Sequence, residues 1–146
     1  MKTLDQWLSA YGESHQNLMN RRIHKVAVPG IFLSIVGLVW SIPNLTIVDV
    51  SINWVWVVLL PVLAFYYSLS RVIFLWMTGF SLACVAVVFS LEKASFPVLN
   101  ISIGLFIVLW VFQFIGHKVE GKKPSFFDDI QFLLIGPIWV FRQNRP

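Results

Sequence analysis

The sequence predicts an all-α membrane protein. The expected architecture is a compact bundle of about four transmembrane helices, with an N-terminal amphipathic helix and a C-terminal interfacial or re-entrant helix. Three observations predict it. Of 146 residues, 58% are hydrophobic and only 12% are charged, roughly half the ~25% charge of an ordinary soluble domain. A further measure of the same bias is the 16% aromatic content. Finally, the apolar residues are grouped in runs close to the ~20 residues that a helix needs to cross a hydrocarbon core. A soluble domain this small has no interior large enough to bury so much apolar surface, and the composition excludes a disordered chain. With a single cysteine, Cys84, no intrachain disulfide is possible. The length suits one unit, so residues 1–146 are expected to form a single integral membrane domain.

Taken in order, the first element is carried by Leu4, Trp7, Leu8, Tyr11, His15 and Leu18. They recur at helical spacing and make an apolar stripe, which predicts an amphipathic helix lying on the membrane or on the bundle. No apolar h-region and no small-residue cleavage site precede the first span, so no signal peptide is expected. Spans are predicted at about 26–42, 47–69, 72–91 and 98–116, the second having its apolar core in 54–69. The four apolar cores contain no charged residue, each of which would cost several kcal/mol at mid-bilayer. Their connections are short, which favours antiparallel neighbours. A fifth apolar run, Ile130 to Phe141, is broken by Gly136-Pro137 and too short to cross unaided.

Charge sets the expected orientation. Four spans put both ends and the Ser70-Arg71 turn on one side, with Lys2, Arg21, Arg22, Lys25, Arg71, Lys118, Lys122, Lys123, Arg142 and Arg145, against Lys93 alone on the other. By the positive-inside rule both termini are cytoplasmic. The formal charge of +4 therefore reports orientation against membrane lipid, and no nucleic-acid partner is expected. The minimal loops and tails favour a bacterial inner membrane over an endoplasmic reticulum.

The chemistry-bearing groups gather at the same end. His15, His24 and His117 lie in the two membrane-proximal segments predicted to face the cytoplasm, together with Glu13, Glu120, Asp128, Asp129, Asn17, Asn20 and Gln113. Imidazole with carboxylate suits Fe, Mn or Zn at an open site. The plainer reading is three interfacial histidines bonded to headgroups or backbone. Helical geometry separates two versions of the metal reading. At about 100° per residue, His24 emerges on roughly the opposite side of one straight helix from His15. Either the chain breaks around Leu18 to Arg22, or His15 packs and His24 alone is functional. His117 and Glu120 are three apart and share a helix face. Lys118, Lys122 and Lys123 suit anchoring to anionic headgroups, or steering of a carboxylate on an amphiphilic substrate.

Two spaced motifs then resemble a known family. Tyr11-x-x-x-His15-x-Asn17-x-x-Asn20-x-x-Ile23-His24, followed by Pro29, resembles the N-terminal signature of the Mpo1-like family, formerly domain of unknown function 962. Gln113-Phe114-Ile115-Gly116-His117, with Glu120, Lys122-Lys123-Pro124, Asp128 and Gly136-Pro137, resembles its C-terminal signature. Ala27 departs from the glycine that many members carry. The resemblance implies an Fe(II)-dependent dioxygenase of fatty acid α-oxidation, which converts a long-chain 2-hydroxy fatty acid and O2 to the one-carbon-shorter acid and CO2. It implies His15, His24 and His117 as metal ligands. Glu120 or Asp128 would support the ligands or accept a proton. Tyr11, Asn17 and Asn20 would orient ligands or the substrate head, with Lys122 and Lys123 near the substrate carboxylate. The electron balance closes, since the reaction releases four electrons and O2 takes up four. Against this stand a non-enzymatic membrane scaffold or lipid-binding protein with structural histidines, and a transporter, which charge-free spans disfavour.

Overall fold

A computed structural model describes residues 2–143. Arg145 of the charge pattern lies outside them. Six helices and a short hairpin follow in order: α1 (Leu4–Glu13), α2 (Leu18–Trp40), β1 (Leu45–Ile47), β2 (Val50–Ile52), α3 (Trp54–Leu69), α4 (Arg71–Lys93), α5 (Val98–Glu120) and α6 (Phe132–Gln143), with a 3-10 turn at Ser125–Phe127. Three helices, α2, α4 and α5, are long and apolar enough to cross a membrane, each with 23 residues; α3 and α6 are shorter apolar helices. The chain divides into two compact units, one of residues 1–32 and 106–146, the other of residues 33–105.

In the second unit the helical segment predicted to begin at residue 47 is corrected. Residues 45–52 form an antiparallel hairpin with Leu45 opposite Ile52 and Ile47 opposite Val50. The β-branched run Thr46-Ile47-Val48 favours extended backbone. Val48 and Asp49 turn it with φ of 45° and 67°, the left-handed pair of a two-residue hairpin turn. Asn53 then caps α3, its side chain accepting from the Val55 N–H at 2.9 Å. The apolar core at 54–69 is therefore the whole of the helix. A single extended residue, Ser70, separates α3 from α4 and caps the latter through Val72 N–H at 3.1 Å. The two helices pack as a hairpin.

In the first unit α1 starts with a reciprocal cap. The Gln6 N–H donates to Thr3 Oγ1 at 3.3 Å, and the Thr3 N–H to Gln6 Oε1 at 2.9 Å. α1 lies against α6, with Trp7 edge-on to Phe132 at 5.0 Å and Tyr11 against Trp139 at 5.3 Å. Residues 135–140 of α6 are all buried, so its apolar run is accounted for by protein packing. Gly136 makes room for this: a Cβ there would meet the Tyr11 hydroxyl at 3.0 Å and Val28 Cγ1 at 3.2 Å. The apolar stripe of α1 ends early. Trp7, Tyr11 and His15 are buried, but Leu18 is 62% exposed, because the helix has stopped at Glu13.

The stop is the main correction in this unit. The break that a site shared by His15 and His24 calls for is present, but at Ser14–Asn17 and not at Leu18–Arg22. The reason is local capping. The Asn17 side chain accepts from the N–H groups of Met19 at 2.9 Å and Asn20 at 3.3 Å, which starts α2 there. As a result α2 begins eight residues before the predicted span at Val26. α5 likewise runs past residue 116 to Glu120.

Candidate metal centre

The break turns α1 back so that His15 faces α2. His24 stands on the second turn of α2, and His117 on the last turn of α5. All three rings are buried, at 1%, 1% and 4% exposure. Ring centroids lie 4.2 Å apart for His15 and His24, 4.9 Å for His15 and His117, and 4.8 Å for His24 and His117. One nitrogen from each falls within 4.8 Å of the other two. His15 therefore both packs on its neighbours and belongs to a three-ring cluster that could hold a metal ion.

Hydrogen bonds assign the protons on two rings. His15 Nδ1 is 2.6 Å from the Tyr11 carbonyl oxygen, and His24 Nδ1 is 2.9 Å from that of Asn20. A carbonyl only accepts, so each Nδ1 carries hydrogen and each Nε2 presents a lone pair. Ligating histidines are oriented this way by backbone carbonyls in metal sites generally. His15 Nε2 is buried without a hydrogen-bond partner among the described residues. His24 Nε2 and His117 Nε2 face each other at 3.1 Å. At metal–nitrogen distances of ~2.1 Å, two ligands at a right angle are ~3.0 Å apart, so this edge fits a shared cation. An orphaned imidazole nitrogen beside two converging ones is a donor set suited to a divalent transition metal.

Burial holds His15 neutral. Loss of water pulls its pKa down to about 4, against the upward pull of the Tyr11 carbonyl. Tyr11 stacks on His15 at 4.1 Å, nearly parallel, and Trp139 lies tilted against the same two rings, 5.2 Å from His15. Burial raises the Tyr11 hydroxyl above its usual range, so both groups are uncharged at neutral pH.

The carboxylates and amides separate into two groups. Glu120 Oε1 accepts from the Asn17 N–H at 2.7 Å and from Asn20 Nδ2 at 3.2 Å. Asn20 Nδ2 also donates to the Ser14 carbonyl at 3.2 Å, while its Oδ1 is buried and unpartnered among the described residues. Asn20 sits against Gly116, where a Cβ would collide with Asn20 Oδ1. Asp128, by contrast, is exposed and paired with Lys123 at 2.9 Å. Lys122 is exposed and donates to the Glu13 carbonyl at 2.9 Å, at the end of α1. Gln113, one turn before His117 on α5, is 5% exposed with its Oε1 unpartnered among the described residues.

Sequence reasoning missed Ser14, Ser125 and Trp139 as parts of the surroundings. Ser14 Oγ lies 2.6 Å from Ser125 Oγ and 3.1 Å from His15 Nδ1. Small polar residues in a loop carry no periodic signal. Trp139, a tryptophan in an apolar run, packs on Tyr11 and His15.

No curated protein and no solved structure matches the chain. Residues 1–145 match a family described as 2-hydroxy-palmitic acid dioxygenase Mpo1-like. The match spans both histidine motifs and everything between them, and the chain belongs to the Mpo1-like family.

Proposed function

We propose that this protein is an Fe(II)-dependent 2-hydroxy fatty acid dioxygenase, which shortens its substrate by one carbon with release of CO2. The observation that carries the reading is the convergence of the three histidines, with the Nε2 atoms of His15 and His24 left unprotonated and turned toward one another's rings. The family's description supports the substrate class. His15, His24 and His117 hold the metal. When bound, Fe(II) would supply O2 binding and electron transfer, with the hydroxyl and carboxylate of the substrate offering two adjacent oxygens.

The remaining residues supply position and exclusion of water. Tyr11 orients His15 by stacking and through its carbonyl, and Trp139 shields the ring. Asn20 orients His24 through its carbonyl, and with Asn17 it ties α2 to α5 beside the substrate head. Of the two carboxylates considered, Glu120 belongs to the bonded network of the site, while Asp128 is engaged with Lys123 outside it. Lys122 and Lys123 are exposed near this end of α5 and suit attraction of a carboxylate head. In this reading four spans cross the bilayer as one integral membrane domain, α3 being the short one. Because α4 starts one residue after α3 ends, a spanning α4 returns through α3. Both termini are then cytoplasmic. The acyl chain lies among the spans, where each buried methylene contributes ~0.8 kcal/mol.

The test is anaerobic loading of purified protein with Fe(II), then addition of 2-hydroxypalmitic acid and O2, with products identified by mass spectrometry. The expected result is a 15-carbon acid and one CO2 per O2 consumed. Recovery of unshortened acid from iron-loaded protein would refute the assignment. Each of His15→Ala, His24→Ala and His117→Ala is expected to abolish both retained iron and chain shortening.

A further inference from the structure

Two of the ligands stand on helices, His24 on α2 and His117 on α5, and the third, His15, lies in the corner between α1 and α2. The sharp corner at Ser14–Asn17 alone brings His15 onto the face of α2 that carries His24. What holds the corner comes from elsewhere in the sequence. Glu120, three residues after His117, crosses to the corner and accepts from the Asn17 backbone N–H at 2.7 Å and from Asn20 Nδ2 at 3.2 Å. The Asn20 amide uses its second contact to bind the Ser14 carbonyl at 3.2 Å. Its own carbonyl fixes His24 Nδ1 at 2.9 Å. One carboxylate oxygen, directly and through the Asn20 amide, thus connects the residue preceding His15, the start of the helix that carries His24, and the end of α5 that bears His117.

Chemistry explains why an acid serves here. The first N–H groups of α2 have no partner within the helix, and the helix dipole favours a negative group at that end. Asn17 Oδ1 takes the N–H groups of Met19 and Asn20, so the N–H of Asn17 is left for Glu120. A carboxylate oxygen accepting two N–H donors makes stronger bonds than a neutral acceptor. Gly116 permits the approach, because any larger residue would displace the Asn20 side chain.

We propose that Glu120 is the positioning residue of the metal centre: a latch from α5 that clamps the α1–α2 corner and so sets His15 and His24 against His117. The proposal rests on the reading of the three histidines as a metal site. It gives the carboxylate a role through the ligands, distinct from proton transfer to or from substrate.

The experiment is equilibrium titration of the full-length protein in detergent with Co(II), followed by its visible absorption. It compares wild type, Glu120→Ala and Glu120→Gln, with the helical content and thermal midpoint of each metal-free protein measured alongside. Loss of an outer partner of a metal ligand typically weakens binding ~10–100-fold, and that range is expected for Glu120→Ala, with an altered absorption spectrum. Glu120→Gln keeps an acceptor oxygen and is expected to restore affinity to within about threefold of wild type and to restore the spectrum. Should Glu120→Ala fail to fold, Asn20→Ala, which removes one donor to the latch, is expected to weaken Co(II) binding in a folded protein. Wild-type affinity in Glu120→Ala, or no recovery in a folded Glu120→Gln, would overturn the latch while leaving the metal site in place. A wild-type protein that binds no Co(II) would overturn the metal site and the latch together.

Discussion

At His15, burial decides the protonation state, and the protonation state decides whether a ligand exists. Its pKa is lowered to about 4, mainly by loss of water and helped by the neighbouring His117, while the Tyr11 carbonyl opposes the shift. In the unfolded chain the same group titrates near ~6.5. Between those values the unfolded state holds the extra proton, so stability rises with pH through that window. The metal-free protein is therefore expected to keep His15's full contribution above about pH 6.5 and to lose it progressively as pH falls toward 4. Thermal unfolding in detergent across that range checks this, with His15→Phe expected to show a shallower decline. Equal slopes for the two proteins would contradict it. The candidate ligands were legible in the sequence because it has only three histidines. Their proton assignment was not, since it depends on the carbonyls of Tyr11 and Asn20, which every residue possesses and no residue letter reports.

At the scale of elements, helix content was readable and helix ends were not. Hydrophobic runs located α4 and the core of α5 closely, because packing and lipid both reward the same apolar residues. The start of α2 was misplaced by eight residues because it is polar, and the hairpin at 45–52 was absorbed into a span because Ile47, Val48 and Val50 are apolar in either conformation. Close packing of α2 on α5 depends on Gly116, whose missing side chain admits Asn20. Gly116→Ala is expected to displace the buried Asn20 side chain, costing ~1–3 kcal/mol by overpacking. A loss of Co(II) affinity of at least tenfold should accompany it, with helical content unchanged. Circular dichroism and metal titration of the purified variant measure both, and normal affinity would show that the approach at Gly116 does not govern the site.

At the scale of the whole molecule, the question is how the chain meets a membrane. Three helices have the length and hydropathy to cross, and α3 has 16 residues, about 24 Å at 1.5 Å per residue. Large apolar side chains remain exposed along α4 and α5, among them Leu75, Trp76, Ile107 and Phe112, a surface suited to lipid contact. If α3 crosses as the fourth span, Lys2 and Lys93 stand on opposite sides. In a Cys84→Ser background, Lys2→Cys is expected to react with a membrane-impermeant thiol reagent only from the cytoplasmic face, and Lys93→Cys only from the other. Labelling of both from one face would exclude four spans with cytoplasmic termini.

Residue order alone determined that this chain carries apolar runs of spanning length and that two histidine-bearing motifs flank them. Transfer of side chains from water to an apolar medium adds up residue by residue, so it survives a reading that knows only order. The meeting of the histidines was decided by the tertiary structure. It needs a helix to stop at Glu13, a cap at Asn17 and an acceptor 103 residues further along the chain, Glu120, to hold them. Directional hydrogen bonds and close packing between distant residues leave no period in the sequence, and together they bring three scattered imidazoles into one cluster.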